Sequence, residues 1–262
     1  MKKKLLCMLF AMALILSLAA CGGGSDEKKD SGAKDDFASF MEVQDNMRDI
    51  KDMEFKMDMN ASSPENKQLD MTMSGTAREV IKSKDDVQME MKYNMNLAGM
   101  DMKGTMYMKD KMLYMELMGQ KIKMDASSEM GAAMNADTSD LLGITKEMIS
   151  ELKVSQDGGD TVYTFKLDPN KAIDYFRKNA GSAEELAKST ESLKFDKMNV
   201  TVVAGKDKMV KKLDLDFSMN VEENGKINTM NYKMTMDYVS INAGFTIDFP
   251  DFSSYKEMPS AN

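Results

Sequence analysis

Residues 87–97 read VQMEMKYNMNL, and their alternation is unbroken. Val87, Met89, Met91, Tyr93, Met95 and Leu97 fall on one side of an extended chain; Gln88, Glu90, Lys92, Asn94 and Asn96 fall on the other. A period of two with one dry and one wet face predicts an antiparallel strand. At about 3.3 Å per residue the segment reaches about 35 Å, longer than a usual strand. A long twisted strand of this kind must curl or be covered on its apolar side.

The same pattern spreads outward in both directions. Downstream, Gly99 turns the chain into Met100, Met102, Gly104, Met106 and Met108. Asp110-Lys111 is a tight-turn signal before 112–118, and Gly119-Gln120 turns the chain again toward Ile122 and Met124. Upstream, 69–81 is a longer and less strict strand, while Met53, Phe55, Met57 and Met59 alternate with Glu54, Lys56 and Asp58. Gly75 and Gly104, inside strand patterns, are either bend points or plain bulges. Before these strands the period is helical. Phe37, Phe40, Met41, Met47 and Ile50 share one face of a helix over 35–51.

The middle of the chain changes character. Residues 125–140 are rich in Ala, Ser, Asn and Gly and read as a loop, and 141–152 read as a helix. Asp157-Gly158-Gly159-Asp160 is a turn into a strand carrying Tyr163, Phe165 and Leu167. Asp168 followed by Pro169 is a helix start, with Ile173, Tyr175 and Phe176 as its apolar side. Ser182 and Glu185 have the spacing of a capping box for a second short helix. Strands then return: Met198, Val200 and Val202; a turn at 205–207; Leu213, Leu215, Phe217, Met219 and Val221. Asn224-Gly225 is a hairpin signal. It leads into Met230, Tyr232, Met234, Met236 and Tyr238, and then Phe245, Ile247 and Phe249. No linker divides the chain after residue 36, so one domain is expected over 37–255, with 256–262 as a tail.

The first twenty residues read as a leader. Lys2, Lys3 and Lys4 precede a short apolar run, and the small residues Ala19 and Ala20 precede Cys21. Leu18-Ala19-Ala20-Cys21 resembles a bacterial lipobox, which implies cleavage before Cys21 and acylation of its thiol. Two acyl chains give lasting membrane attachment. Residues 21–36 are then a Gly-rich, charged tether, and the expected location is the extracytoplasmic face of the cell membrane. Loss of the leader takes the net charge from −8 to −11 and removes Cys7, so the folded part carries no thiol.

The composition excludes several chemistries. The 262 residues include 31 Met and 2 Cys but 0 His and 0 Trp. Without His there is no Ser-His or Cys-His nucleophile pair and no His-ligated zinc. The acidic balance argues against nucleic acid. No phosphate loop, EF-hand loop or nucleophile elbow occurs. The carboxylates of Glu54, Asp58, Asp214 and Asp216 fall on wet strand faces, so no enzyme activity and no cofactor are expected.

The lipobox, the N-terminal helix, about ten long antiparallel strands and the helical middle together resemble the LolA/LppX-like lipoproteins. The phrase MYMKDKMLYMELMGQKIKMD (106–125) also resembles a set of Firmicutes lipoproteins of unknown function. The resemblance implies a mainly β fold with α elements. Its core would be a single strongly curved antiparallel sheet, a half-barrel, with helices covering the concave face. A pocket between sheet and helices would hold lipid or another apolar ligand, and the helices at 141–152 and 169–190 with the loop 125–140 would gate it.

Three readings of the methionines stay open. They are generic core residues, and the protein is an envelope assembly or interaction partner with a filled interior. They line a pocket that repacks around a hydrophobic ligand. Or the M-x-M pairs bind Cu(I) or Ag(I) through thioethers. The candidate pocket lining is Met57, Met59, Met71, Met73, Met89, Met91, Tyr93, Met106, Met108, Phe217, Met219, Met234 and Met236.

Overall fold

The computed structural model describes residues 36–83, 86–125, 144–172, 193–223 and 226–257. One helix, α1 (Asp36–Arg48), precedes a sheet whose long strands are β1 (Asp52–Ser62), β2 (Met71–Ser83), β3 (Asp86–Leu97) and β4 (Met100–Lys109). β5 (Met112–Leu117), β6 (Gln120–Asp125), β7 (Ile149–Asp157) and β8 (Asp160–Leu167) follow. The last four are β9 (Leu193–Ala204), β10 (Val210–Glu223), β11 (Lys226–Ile241) and the two-residue β12 (Lys256–Glu257). All join one curled sheet in the order β12-β6-β5-β4-β3-β2-β1-β11-β10-β9-β8-β7. Every pairing is antiparallel except β12 on β6.

The hairpins have a local cause. Ala98-Gly99, Asp110-Lys111, Met118-Gly119 and Gly158-Gly159 each place two consecutive residues at positive φ. That geometry matches the right-handed twist of the flanking strands and joins them in two residues. The third turn is centred one residue earlier than the Gly119-Gln120 expected from sequence. The Asn224-Gly225 signal lies outside the described residues, though the flanking Glu223 and Lys226 are register partners.

Two expectations are corrected. Residues 149–152, expected as the end of a helix, open strand β7. Its ladder with β8 shifts register between Ser150 and Lys153, and Glu151 has φ 57°. This bulge inserts an extra residue, so the half-buried Ile149 and Leu152 stand three apart, and Val154 resumes the period of two. Three-residue apolar spacing is what a helix also shows. Second, Phe245, Ile247 and Phe249 do not form a strand. Phe249 instead packs with Tyr107 and Phe252, and Phe252 stacks on Tyr114 with ring centroids 3.7 Å apart. Tyr255 donates a 2.6 Å hydrogen bond to Glu116. The C-terminal segment therefore clamps the outer face of β4 and β5 before β12 adds to β6.

The Asp168-Pro169 signal performs as expected. The Asp168 side chain accepts from the backbone N–H groups of Asn170 and Lys171 at 3.0 and 3.3 Å. Helical backbone follows over 169–172; the Ser182–Glu185 signal and residues 126–140 of the loop expected over 125–140 lie outside the described residues. Helix α1 packs on the inner face of the sheet. Its Phe40 ring meets Phe165 at 5.0 Å and Tyr163 at 5.5 Å, and Ser39 shares a 2.8 Å hydrogen bond with Tyr163.

A buried carboxylate fastens the two long central strands. Asp52, at the start of β1, accepts from the N–H groups of Ala243 and Gly244 at 2.7 and 3.0 Å, just after β11 ends. Gly244 has φ 76°, where a side chain would be strained. Replacing Asp52→Ala leaves both donors without their acceptor and is expected to lower stability by about 1–3 kcal/mol. A urea titration with an unchanged slope and a lower midpoint would check this.

Candidate functional site

In-register pairing turns the period of two into transverse rows across the inner face. One row reads Met234, Met59, Met73, Met95 and Met102, crossing β11, β1, β2, β3 and β4. The next reads Met236, Met57, Gly75, Tyr93, Gly104 and Leu117. A third reads Tyr238, Phe55, Ala77, Met91, Met106, Met115 and Ile122. A fourth reads Ile241, Met53, Glu79, Met89, Met108, Leu113 and Met124. Phe217, Tyr232, Ala61, Met71 and Leu97 form a further row at the other end.

Every expected lining residue therefore lands on one face. Met57, Met59, Met71, Met73, Met89, Met91, Tyr93, Met106, Met108, Met219, Met234 and Met236 are all buried, none more than 5% exposed. Phe217 is half-buried and stacks on Tyr232 at 4.7 Å. Such low exposure means that these side chains are packed against other atoms over most of their surface. Grooves of ≈ 720 and ≈ 530 Å³ carry outer-face residues such as Asp58, Thr72, Ser74, Asn94 and Lys103; Met59 and Met73 also border the larger, and Met57 and Tyr93 the smaller. The smaller groove is mainly polar, whereas the larger presents more apolar than polar surface.

The acidic residues weighed from the sequence serve the outer face. Glu54 pairs with Arg78 at 2.6 Å, Asp216 with Lys197 at 2.6 Å, and Asp214 accepts from Thr235 at 2.6 Å, while Asp58 is exposed. Among the described residues, no group of three or more His, Cys, Asp or Glu could hold a metal ion.

The glycines have a packing role that neither sequence reading anticipated. Tyr93 lies between Gly75 and Gly104 in its row, and its ring rests over Gly104. A β-carbon on Gly104 would sit 2.5 Å from the Tyr93 hydroxyl oxygen and 2.8 Å from the Glu116 carbonyl oxygen. Gly in a strand interior is normally replaced by Ala with a gain in stability. At this position the sign reverses: Gly104→Ala is expected to cost about 1–3 kcal/mol through overpacking. A lower urea midpoint, partly restored by adding Tyr93→Leu, is the expected result.

The residue that sequence reasoning missed is Glu79. Parity from Met71 and Met73 runs through Gly75 and Ala77 to Glu79, so its inward position was legible; that a carboxyl would be buried there was not. Glu79 is 0% exposed, between Met53 and Met89, and neither of its oxygens has a hydrogen-bond partner among the described residues. Its neighbour Arg78 faces outward and is engaged with Glu54. The other buried acid, Asp52, has its backbone donors, and Ser63 bonds with Asp70, Glu65 and Asn66. A buried carboxyl without a partner costs about 1–3 kcal/mol. Burial pushes the Glu79 carboxyl well above its ordinary value of 4.5, and the Glu79 charge adds to the burial that raises the Tyr238 phenol.

The folded protein thus retains a proton that the unfolded chain releases above 4.5. The stabilising contribution of that proton is complete below 4.5 and is lost as pH climbs toward the folded-state value. Relative to Glu79→Gln, the native chain is expected to lose stability between pH 5 and pH 8, with a slope of up to one proton. Parallel stability curves for the two proteins across that range would contradict a buried, protonated Glu79.

The structure is similar to that of the lipoprotein LppX from Mycobacterium tuberculosis, with a TM-score of 0.47 and 10% identity over 81% of this chain and 98% of that one. It is also similar to LprF from Mycobacterium bovis, with a TM-score of 0.48 and 11% identity over 84% and 99%. A LolA-superfamily protein from Nitrosomonas europaea gives a TM-score of 0.32 and 11% identity over 81% and 94%. These neighbours are of the LolA/LppX type that the order of elements resembles. No curated protein sequence matches the chain. The sequence itself matches one family across residues 39–252, and the chain belongs to it: the family of unknown function DUF6612.

Proposed function

We propose that this protein is an extracytoplasmic lipoprotein, anchored to the cell membrane through acylated Cys21, that takes a hydrophobic ligand against the inner face of its sheet. One observation carries the reading. The inner rows are built mainly from unbranched thioether side chains, whereas a permanently filled sheet interior is usually served by Val, Ile and Leu. Methionine has three rotatable bonds and a polarizable sulfur, so a closed Met-lined face can open around an apolar guest by changing rotamers. Met57, Met91, Met106 and Met236 are almost completely buried, so a guest would enter only as these side chains change rotamer. Residues 22–36 supply the reach between membrane and domain, so a ligand could be exchanged with the bilayer surface.

The same burial also favours a second reading, an envelope interaction protein whose interior is simply full. Copurification separates the two. Mild extraction from native membranes followed by native mass spectrometry is expected to show a bound lipid mass on the folded chain. Recovery of apo protein alone, across several mild extractions, would leave the filled-core reading standing. The anchor has its own test: Cys21→Ser is expected to move the protein from the membrane to the soluble fraction, and continued membrane association would remove the lipidation claim.

A further inference from the structure

Four inner rows cross the sheet from β11, two of them as far as β6, and Glu79 is the one carboxyl among their described residues, which include no Lys or Arg. The replacement that would complete its row is plain, since Met53 lies on one side and Met89 and Met108 on the other. A strand interior gains nothing structurally from an acid there: among the described residues no donor meets it and no cation balances it. The Tyr238 phenol, two strands away on β11, senses its charge, with Phe55 of β1 beside the Tyr238 ring. A carboxyl and a phenol are thus set into a wall that is otherwise thioether and hydrocarbon.

We propose that Glu79 is the polar anchor of the inner-face site, and that the site takes an amphiphile whose polar end donates a hydrogen bond and bears no negative charge. This inference rests on the hydrophobic-ligand reading above and narrows it. The chemistry selects by sign. A phosphate or carboxylate headgroup would bury its own charge in rows that hold no Lys or Arg among the described residues, a desolvation cost that one hydrogen bond from the neutral Glu79 acid does not offset. A hydroxyl would donate to a carboxyl oxygen and satisfy it. An ammonium would do the same and bring the counter-charge that the protein withholds, turning the neutral acid into a paired carboxylate. The apolar chain of the ligand would lie along the Met rows, where flexible side chains make room for it.

Three probes of equal chain length test this on the soluble C21S chain at pH 7 and physiological salt: dodecylamine, 1-dodecanol and dodecanoate. Dissociation constants are measured by calorimetry on that chain and on the same chain carrying Glu79→Met or Glu79→Gln. The amine and the alcohol are expected to bind at least about tenfold more tightly than dodecanoate, the selectivity that one hydrogen bond to a charged or buried group supplies. Glu79→Met, which completes the apolar row, is expected to raise the urea midpoint and, by removing the partner of their polar ends, to weaken the amine and the alcohol by about tenfold each. Glu79→Gln keeps a carbonyl acceptor without a charge, so it is expected to keep the alcohol and weaken the amine by about tenfold. Comparison between variants cancels attraction of the amine to the acidic surface, since that surface is common to all. Binding of all three probes with a preference unchanged by either substitution would overturn the role of Glu79 and leave the ligand-binding reading intact. Tightest binding by dodecanoate would do the same. Failure of every probe to bind would overturn both.

Discussion

The fold depends on one constraint, the in-register pairing of β11, β1, β2, β3 and β4, which shifts only at Glu54/Phe55 in the β1–β11 ladder and at Ile81/Ser83 in the β2–β3 ladder. Each ladder fixes which side chain stands opposite which, and a slip of one residue would send a whole strand's apolar set into water. Because the five strands hold register together over most of their length, alternation in sequence becomes transverse rows in space. Those rows decide what is dry. They place Met59 beside Met73 and Met95, gather the thioethers of strands far apart in the chain, and carry Glu79 to a position that no local preference would choose for an acid.

Much of this was legible from the residues alone. The segment 87–97 gave its own face, and β10 and β11 repeated the pattern with Leu213, Leu215, Phe217 and Met219 opposite Met236, Met234, Tyr232 and Met230. Two-residue turns announced themselves through Gly and Asp. The misreadings have physical reasons. In β7 the bulge at Glu151 changed the phase of the strand, and apolar residues three apart imitate a helix. In the C-terminal segment, Phe249 and Phe252 answer to aromatic partners on β4 and β5, Tyr107 and Tyr114, which a period of two cannot reveal. Strand order was also beyond the pattern, because alternation says which face a residue takes and nothing about which strand lies beside it.

The candidate site divides along the same line. Parity put the candidate methionines on one strand face, where they are buried. The Gly75–Tyr93–Gly104 arrangement and the partnerless Glu79 arise only when neighbouring strands are brought into register. A glycine in a strand is ambiguous until its cross-strand neighbour is known. A glutamate is ordinary until its surroundings prove to be dry.

The pairing of β1 with β11 also has a kinetic meaning. β2 to β6 form successive local hairpins, as do β7 with β8 and β10 with β11, and each can close over a short stretch of chain. β1 is different: Met53 meets Ile241, and Met59 meets Met234, across nearly the whole length of the domain. The middle of the sheet is therefore completed by the first and last long strands to be made. A chain emerging from its N-terminus must leave that edge of β1 unpaired until the last long hairpin has appeared, and loops this long close slowly. Two half-sheets waiting for their shared seam would be exposed to wrong partners during that interval. Truncation before residue 231, where the pairing with β1 begins, would make the wait permanent.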